Sequence, residues 1–427
     1  MGKTCYTNDM QSKKKDYIWN SLGSLLQSAI SPVLLIVITR LNGIDDSGLF
    51  SFAISISVVF WAVSLWGGRT YQASDVKREF CSGGYVAVRF VASLIVAVSA
   101  VVFCVLNGYN ATKTGLIMIL VAFKILESIA DSLYGVLQIH RKLYIAGISL
   151  TMKAMLGFGV FIVVDIVTKN VMYGTLAILL VNALIILLYD VLWVRRVEAI
   201  AMNKKFIKEY AGQAVVIMKR TSAVFVVMFL TMFSLNIPRY FLDKSHPDQI
   251  GYFGIMAMPI TLLGLFISFI IQPNVVNLSE LLAKGKLKEF ARIVGKINQI
   301  TFGMGVLSVV LSYLIGVWML NVIFGININN FRLDLTIMVI GAAANAFVSI
   351  YVNLLIIMRR FKGQFYTLLL TDILAVVVSM CLIERLAMLG SVLVFMMISF
   401  LQVALLLFIY KRSLKDAIIT DKDKGEL

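Results

Sequence analysis

Residues 115–137 read GLIMILVAFKILESIADSLYGVL, an apolar run that carries charged side chains at regular intervals. A helix needs about 20 mostly apolar residues to cross the roughly 30 Å of hydrocarbon in a bilayer. Runs of this length recur along the whole 427-residue chain, in which 60% of the residues are hydrophobic and 15% are charged. Soluble domains are roughly half apolar and about a quarter charged. The composition therefore predicts an integral membrane protein.

The apolar runs predict an all-α, polytopic membrane protein with about twelve transmembrane helices. No stretch between the runs is long and polar enough to form a separate soluble domain. The predicted spans are residues 17–39, 47–67, 85–106, 115–137, 145–168, 173–193, 214–236, 251–273, 297–318, 334–357, 365–383 and 388–409.

The basic residues predict the orientation of the chain in the membrane. With the N-terminus in the cytoplasm, 27 of the 39 Lys and Arg residues fall on the cytoplasmic side and 7 on the opposite side. Because Lys and Arg accumulate in cytoplasmic loops, both termini are predicted to be cytoplasmic. The same rule accounts for the net charge of +16, so no nucleic-acid partner is expected.

Three short motifs recur in the same order, six spans apart. They are Gly48-Leu49-Phe50 with Gly251-Tyr252-Phe253, Arg78-Glu79-Phe80 with Lys288-Glu289-Phe290, and Leu137-x-x-x-Arg141-Lys142-Leu143 with Leu355-x-x-x-Arg359-Arg360-Phe361. The repetition predicts two six-helix bundles, residues 1–205 and 206–427, related as parallel repeats. Repeats of this kind place a substrate cavity between the halves and suit alternating access.

The fourth span carries a polar stripe that predicts a functional surface. Lys124, Glu127, Asp131, Tyr134 and Gln138 are spaced by three or four residues, so they share one face of a helix. An ionised group at the centre of a bilayer costs about 2.5–3.5 kcal/mol on insertion scales, so the stripe must face protein or a water-filled cavity. One interpretation is that Lys124 pairs with Glu127 and only joins neighbouring helices. The continuation through Tyr134 and Gln138 favours the wall of a wet cavity.

Other spans contain weaker polar patterns. Asn20, Ser24, Gln27 and Ser31 form a stripe in the first span, and Asn345, Ser349 and Asn353 form one in the tenth. Such residues are more often packing contacts than substrate ligands. Positive charge comes from Lys153 and from Lys219 and Arg220, although the last two could extend to the cytoplasmic interface. Three further carboxylates lie near span ends, where headgroup-level water is expected: Asp165, Asp190 and Asp372.

No catalytic or cofactor motif is found in the sequence. The four Cys residues lack the paired spacing of a metal site, and only two His residues are present. Neither a phosphate-binding Gly-rich loop with Lys-Ser/Thr nor Gly-x-Ser-x-Gly occurs. We therefore expect no cofactor, no metal and no enzymatic activity.

Several segments together resemble one known family over nearly the whole chain. They are Asn20-Ser21-x-Gly23 through Ser31-Pro32, Asn236-Ile237-Pro238-Arg239-Tyr240, Gly251-Tyr252-Phe253, and the segment from Glu127-Ser128 through Asp131, Gly135, Gln138 and Arg141 to Ser149 and Lys153. The chain resembles the Wzx-type flippases of the multidrug/oligosaccharidyl-lipid/polysaccharide exporter (MOP) superfamily. These motifs are more specific for the superfamily than for the substrate. The resemblance implies a fold like that of the multidrug and toxic compound extrusion (MATE) transporters.

The resemblance also implies a function. The protein would turn undecaprenyl-pyrophosphate-linked oligosaccharide units from the cytoplasmic to the outer leaflet of a bacterial inner membrane. The units would serve O-antigen, capsule or exopolysaccharide synthesis. Implied partners are membrane lipids and the polymerase and chain-length proteins of the pathway. Without an ATP-binding motif, protons, sodium or downstream consumption would drive the transport.

Roles for the polar residues follow from this resemblance. The pyrophosphate would interact with Lys124, Lys153, Lys219 and Arg220, and the glycan with Asn20, Gln27, Tyr134, Gln138 and Asn345. Glu127 and Asp131 are hypothetical ion-coupling carboxylates.

Three other functions stay open. The mixed intramembrane charges leave a drug or small-molecule antiporter of the same superfamily possible. A membrane polysaccharide polymerase should have a long external loop, and none occurs in this sequence. A flippase for peptidoglycan precursor or teichoic acid would differ in cargo rather than in mechanism.

Overall fold

The computed structural model describes residues 2–74, 79–198, 206–271 and 274–425. Within these ranges the chain is helical and contains no strand. The first half comprises α1 (Gly2–Asn42), α2 (Ile44–Leu65), α3 (Gly68–Ser74), α4 (Ser82–Leu106), α5 (Ala111–Ile139), α6 (Leu143–Thr168), α7 (Val171–Ile185) and α8 (Val191–Val197). A π-helical turn, Ile186–Asp190, joins α7 to α8 without interruption.

The second half begins with a long helix, α9 (Phe206–Ser245). It continues through α10 (Ile250–Met256), α11 (Met258–Ile271), α12 (Val275–Ala283), α13 (Leu287–Leu311), α14 (Val317–Phe324), α15 (Arg332–Ile357) and α16 (Phe361–Gly425). A second π-helical turn, Ser312–Gly316, joins α13 to α14. Short 3-10 turns at Pro247–Gln249 and Asn329–Phe331 precede α10 and α15.

Twelve helices of the described chain are long enough to cross a membrane. Ten segments qualify by both length and hydropathy. One of them contains α16, which turns sharply at Ala387 (φ 50°, ψ −121°) and is therefore two helices. The twelfth is α5, which has 29 residues but carries the charged residues of the polar stripe. The prediction of an all-α protein with about twelve transmembrane helices is confirmed.

The outer faces of these helices suit a lipid environment. Large apolar side chains are exposed there, including Leu106 (80% exposed), Val167 (77%) and Leu188 (68%). Soluble monomers rarely expose extensive apolar surface, and large apolar patches mark contact with a membrane or a partner. The fold is that of a multi-pass membrane protein.

Matching backbone turns support the predicted repeat. Arg141 and Arg359 each follow the fourth long helix of their half, and both have φ 56°. At the first turn Lys142 N donates to Leu137 O at 2.9 Å, and at the second Arg360 N donates to Leu355 O at 2.9 Å. These are the bonds of a helix end closed by a left-handed residue. The motif pair found in the sequence therefore forms the same structure twice.

Internal packing divides the chain into two units, residues 1–229 and 230–427. The division lies inside α9, whereas the sequence predicted a boundary in the loop at 205/206. The first part of α9 packs on the end of α2, where the Trp66 and Phe225 rings stack with centroids 3.9 Å apart. Trp66 Nε1 also donates to Met218 O at 3.0 Å. These contacts assign the start of α9 to unit 1.

Close helix packing in unit 1 depends on two glycines. A Cβ atom on Gly147 of α6 would lie 2.3 Å from the Trp19 carbonyl carbon of α1, and one on Gly23 would lie 2.5 Å from Gly147 O. Only glycine permits backbones to approach this closely. The contact fixes α1 against α6. In unit 2, α15 packs against α11, α13 and α16.

Candidate functional site

The polar stripe of α5 faces the interior of unit 1. Helix α5 contacts α2, α3, α4, α6 and α7. The partners of its polar side chains come from these helices, from α1 and from the π-helical turn Ile186–Asp190. The groups form three clusters, centred on Lys124, Asp131 and Lys153. Together we call them the α5 track. The stripe therefore contacts protein, as its charges require.

The Lys124 cluster joins α5 to α1 and α2. Lys124 Nζ lies 2.6 Å from Glu127 Oε2, and the Gln27 side-chain amide donates to the other oxygen of Glu127. Lys124 Nζ also lies 5.3 Å from the centre of the Trp61 ring, within the range of a cation–π contact. Neither partner is fully buried, since Lys124 is 13% and Glu127 16% exposed. The pairing that the sequence offered as a structural alternative is present.

The Asp131 cluster contains two arginines and one carboxylate. Arg89 Nη2 lies 3.4 Å from Asp131 Oδ2, and Arg69 Nε lies 3.7 Å from Asp131 Oδ1. Arg89 is 3% exposed, whereas Arg69 is 29% exposed. Arg89 Nη1 also donates to Trp66 O at 3.3 Å. The cluster has two positive charges against one negative charge, so the α5 track carries an excess of one cation there.

Local packing explains how Arg69 reaches Asp131. Gly67 and Gly68 adopt positive φ of 89° and 67° and turn the chain between α2 and α3. The Gln72 amide on α3 then donates to Ser132 O of α5 at 3.2 Å. This bond fixes the short α3 beside α5.

The Lys153 cluster is the most deeply buried part of the track. Lys153 Nζ lies 2.6 Å from Asp190 Oδ2 and donates to Tyr134 Oη at 2.7 Å. Tyr134 Oη also lies 2.9 Å from Ser149 Oγ. Lys153 is 3% and Asp190 0% exposed. Asp190 ends the π-helical turn of Ile186–Asp190, a feature that is frequent at functional sites.

Burial of the carboxylates corrects one expectation. The sequence placed Asp165, Asp190 and Asp372 beside headgroup water, but they are only 1%, 0% and 3% exposed. Neighbouring helices cover them. Asp190 pairs with Lys153, and Asp165 Oδ1 accepts a hydrogen bond from the Asn42 amide at 3.1 Å.

Other predicted site residues lie apart from the α5 track. Gln138, the last residue of the polar stripe, lies at the end of helix α5 and is exposed. Lys219 is also exposed, and Arg220 forms a 2.5 Å ion pair with Glu79 at the surface of unit 1, where both side chains are about half exposed. Asn20 on α1 is partly buried, and its Oδ1 has no hydrogen-bond partner among the described residues.

Asn345 lies in unit 2. It lines a small cavity with Ser234, Pro238 and Gln402. The predicted contact of Asn345 with the glycan stays a prediction.

The sequence analysis missed Arg69 and Arg89 as site residues. Arg69 falls between the predicted spans 47–67 and 85–106, and Arg89 falls within the second of these spans. A single arginine in the otherwise apolar run of residues 85–106 was the available signal, because an intramembrane charge implies a partner. No three His, Cys, Asp or Glu side chains lie together as a potential metal site in the described part of the chain.

Comparisons with known proteins agree with this architecture. No protein-family model matches the chain. The sequence is 22% identical over 407 residues to the capsular polysaccharide biosynthesis protein CapF of Staphylococcus aureus, and the match covers 93% of this chain and 99% of the relative.

Two solved structures have a similar fold. One is the inward-facing conformation of a multidrug resistance MATE family transporter of the MOP superfamily, with a TM-score of 0.63, 12% identity and coverage of 94% of this chain and 96% of that one. The other is a MOP superfamily transporter from Pyrococcus furiosus, described as having a binding pocket of reverse polarity, with a TM-score of 0.56, 13% identity and coverage of 96% and 93%. The chain has the MATE fold, and the predicted resemblance to the MOP superfamily is confirmed.

Proposed function

We propose that this protein flips undecaprenyl-pyrophosphate-linked oligosaccharide units across a bacterial inner membrane, from the cytoplasmic to the outer leaflet. Both termini would be cytoplasmic. The observation that carries the proposal is the cationic Asp131 cluster inside a six-helix unit of MATE fold. The similarity to a protein named for capsular polysaccharide biosynthesis supports a saccharide cargo. The similar solved structures are transporters, which supports transport rather than catalysis.

The two arginines suit the pyrophosphate better than the lysines do. A guanidinium group binds phosphate oxygens through two parallel hydrogen bonds. Lys124 and Lys153 each lie 2.6 Å from a carboxylate that neutralises them. Arg69 and Arg89 share one carboxylate, and Arg69 is accessible. We therefore assign the main phosphate contact to Arg69, with Arg89 keeping Asp131 in place.

The remaining polar residues suit the glycan. Amides and hydroxyls exchange hydrogen bonds with sugar hydroxyl groups. The exposed amide of Gln138 is available for such bonds, whereas the Oδ1 of Asn20 has no partner among the described residues but is buried and would have to be uncovered first. Gln27 and Tyr134 already bond within the clusters, so they would contact cargo only after rearrangement. Lys219, Arg220 and Asn345 stay candidate contacts.

Deletion of the gene tests the proposed function. Lipid-linked repeat units should accumulate on the cytoplasmic face of the membrane, and the wild-type gene should restore their export. Polymerase and chain-length proteins would act on the exported units. A deletion strain that exports these units normally would contradict the proposal.

A second candidate function is drug export. The observation in its favour is that one structure of similar fold is a multidrug resistance transporter. In that case the deletion strain would become sensitive to cationic drugs without accumulating lipid-linked saccharide. The two outcomes separate the functions.

A further inference from the structure

The carboxylate of Asp372, on α16 in unit 2, differs from those of the α5 track. It is 3% exposed. Neither of its oxygens has a hydrogen-bond partner of ordinary geometry among the described residues. Glu127, Asp131 and Asp190, by contrast, each lie within 3.4 Å of a cationic nitrogen. Nothing in the function proposed above uses Asp372.

The surroundings of Asp372 are polar but uncharged. Ser234 of α9 interacts with its carboxyl group. The Gln402 amide, on the second part of α16, donates to Ser234 Oγ at 2.7 Å and to Thr371 Oγ1 at 3.0 Å. Gln402 therefore joins Ser234, the neighbour of the carboxyl group, to Thr371, the residue before Asp372.

Ser234 and Gln402 also line a small cavity. These two residues line it together with Asn345, Ser399 and others, and its volume is about 10 Å³. That is close to the minimum that holds one water molecule. The space is too small for a drug or a sugar and has room for at most one water. Ser234 Oγ can accept from such a water, because a hydroxyl oxygen has two lone pairs and Gln402 occupies one.

We propose that Asp372 is the proton-binding residue through which unit 2 couples transport to a proton gradient. A proton that enters the cavity converts its water to a hydronium ion, which gives one proton to Ser234 Oγ while the Ser234 hydroxyl proton passes to the carboxylate. The water is left neutral. Release follows the reverse path, so Ser234 ends unchanged. The coupling depends on the flippase function proposed above, whereas the proton site itself does not.

Charge explains why a proton suits this position. An ionised carboxylate is costly to bury without a partner, and proton uptake removes the charge. The charged and titratable groups on the neighbouring helices include Arg239, Tyr240 and Asp243 on α9, Arg332, Asp334 and Tyr351 on α15, and Lys362, Tyr366, Glu384, Arg385 and Tyr410 on α16. Among the residues that the structure describes, no ion pair joins any of them to Asp372. Protonation is therefore the direct way to neutralise the site.

Infrared spectroscopy of the purified full-length protein tests the site without any cargo. During a pH titration, the band of a buried carboxylic acid should be present in wild type and lost in Asp372→Asn. The Asn side chain mimics the neutral acid, so this variant should fold. Glu280→Gln removes a carboxyl group that is 58% exposed and should leave the band intact. An unchanged buried-acid band in Asp372→Asn would overturn the proposal.

Two further measurements sharpen the test. Ser234→Ala keeps the carboxyl group but removes its neighbour, so the band should move in frequency rather than disappear. A spectrum identical to that of wild type would overturn the relay through Ser234. Sodium chloride added at constant pH should not alter the band. If sodium suppresses it, the site binds sodium and the proton assignment is wrong.

Proteoliposomes that contain lipid-linked oligosaccharide test the coupling. The wild-type protein should flip the lipid faster in an imposed pH gradient. The Asp372→Asn variant should flip it at the same rate with and without the gradient. A variant that responds like wild type would overturn the coupling. If wild type flips no lipid while the infrared band is present, the flippase function is wrong and the proton site stands.

Discussion

Lys153 and Asp190 form a deeply buried ion pair in unit 1, where either charge alone would be unstable. Lys153 and Asp190 are 3% and 0% exposed and lie 2.6 Å apart. Taking both ions out of water has a cost that their attraction only partly offsets. Removing one partner leaves the other charged and without compensation. The pair therefore specifies how α5, α6 and the π-helical turn fit together more than it adds to stability.

The substitution Asp190→Asn tests this pair. It should destabilise the protein by about 3–5 kcal/mol, because Lys153 stays charged without a partner. Thermal unfolding of the detergent-solubilised protein measures the change. The double variant Lys153→Met/Asp190→Leu replaces both ions with apolar side chains and should recover most of the loss. Equal destabilisation in both variants would contradict the argument.

Arg69→Gln tests the phosphate contact. A hydrogen bond to a charged group contributes about 1.5–3 kcal/mol, so affinity for the pyrophosphate-linked lipid should fall by roughly 10-fold to 100-fold. The measurement is binding of the lipid to reconstituted protein. Lys284→Gln removes an exposed lysine of an ion pair with Glu280 on the surface of unit 2 and should bind normally. An undiminished affinity in Arg69→Gln would exclude Arg69 as the anchor.

The hypothesis that Glu127 and Asp131 couple an ion is tested by Glu127→Gln and Asp131→Asn. If these carboxylates carry protons, both variants should lose the acceleration of flipping by a pH gradient. Their ion pairs with Lys124 and Arg89 favour a different result, in which cargo affinity changes and the gradient response persists. Flipping rates at several imposed gradients distinguish the two results.

At the scale of elements, small residues determine which helices can touch. Helices α1 and α6 approach through Gly23 and Gly147, where a side chain would overlap the opposite backbone. The approach brings Gln27 to the face of α1 that reaches Glu127. Packing between membrane helices relies on such small residues because lipid supplies no hydrophobic driving force between helices.

Gly147→Ala should therefore destabilise unit 1. Its Cβ would lie 2.3 Å from the Trp19 carbonyl carbon, and overpacking typically costs about 1–3 kcal/mol. Gly159→Ala is a matched control on the same helix, since a Cβ there meets nothing within 4 Å. The control should be neutral or slightly stabilising, because Ala favours helices more than Gly does. Equal unfolding temperatures for the two variants would refute the packing argument.

At the scale of the whole molecule, two units of similar construction share one chain. Each contains a fourth long helix that ends in the same left-handed turn, at Arg141 and at Arg359. Helix α9 contributes residues to both units, since the division falls between Phe229 and Leu230. The two units share this arrangement of helices but differ in their buried charges. Unit 1 contains the ion pairs of the α5 track, and unit 2 contains the carboxylate of Asp372, which forms no ion pair among the described residues.

Reporter fusions test the predicted orientation. Alkaline phosphatase fused after Asn329, between α14 and α15, should be active because this loop is predicted to lie outside the cytoplasm. The same enzyme fused after Arg141 should be inactive, and a fluorescent protein at the C-terminus should fold and fluoresce. Activity of the Arg141 fusion would reverse the proposed orientation.

The sequence alone determined the properties that depend on neighbours along the chain. Apolar runs of spanning length predicted twelve membrane helices, and the spacing from Lys124 to Gln138 predicted one polar face, because hydropathy and helical period are local. The twin turns at Arg141 and Arg359 were visible as a repeated motif for the same reason.

Only the tertiary structure decided which charges meet. Arg89 and Asp131 are separated by 42 positions, and Lys153 and Asp190 by 37, so no local pattern relates them. It also decided that Asp190 and Asp372 are buried, because the helices that cover them come from distant parts of the chain. Position relative to a span end was a poor guide to exposure, since water access depends on neighbouring helices and not on depth alone.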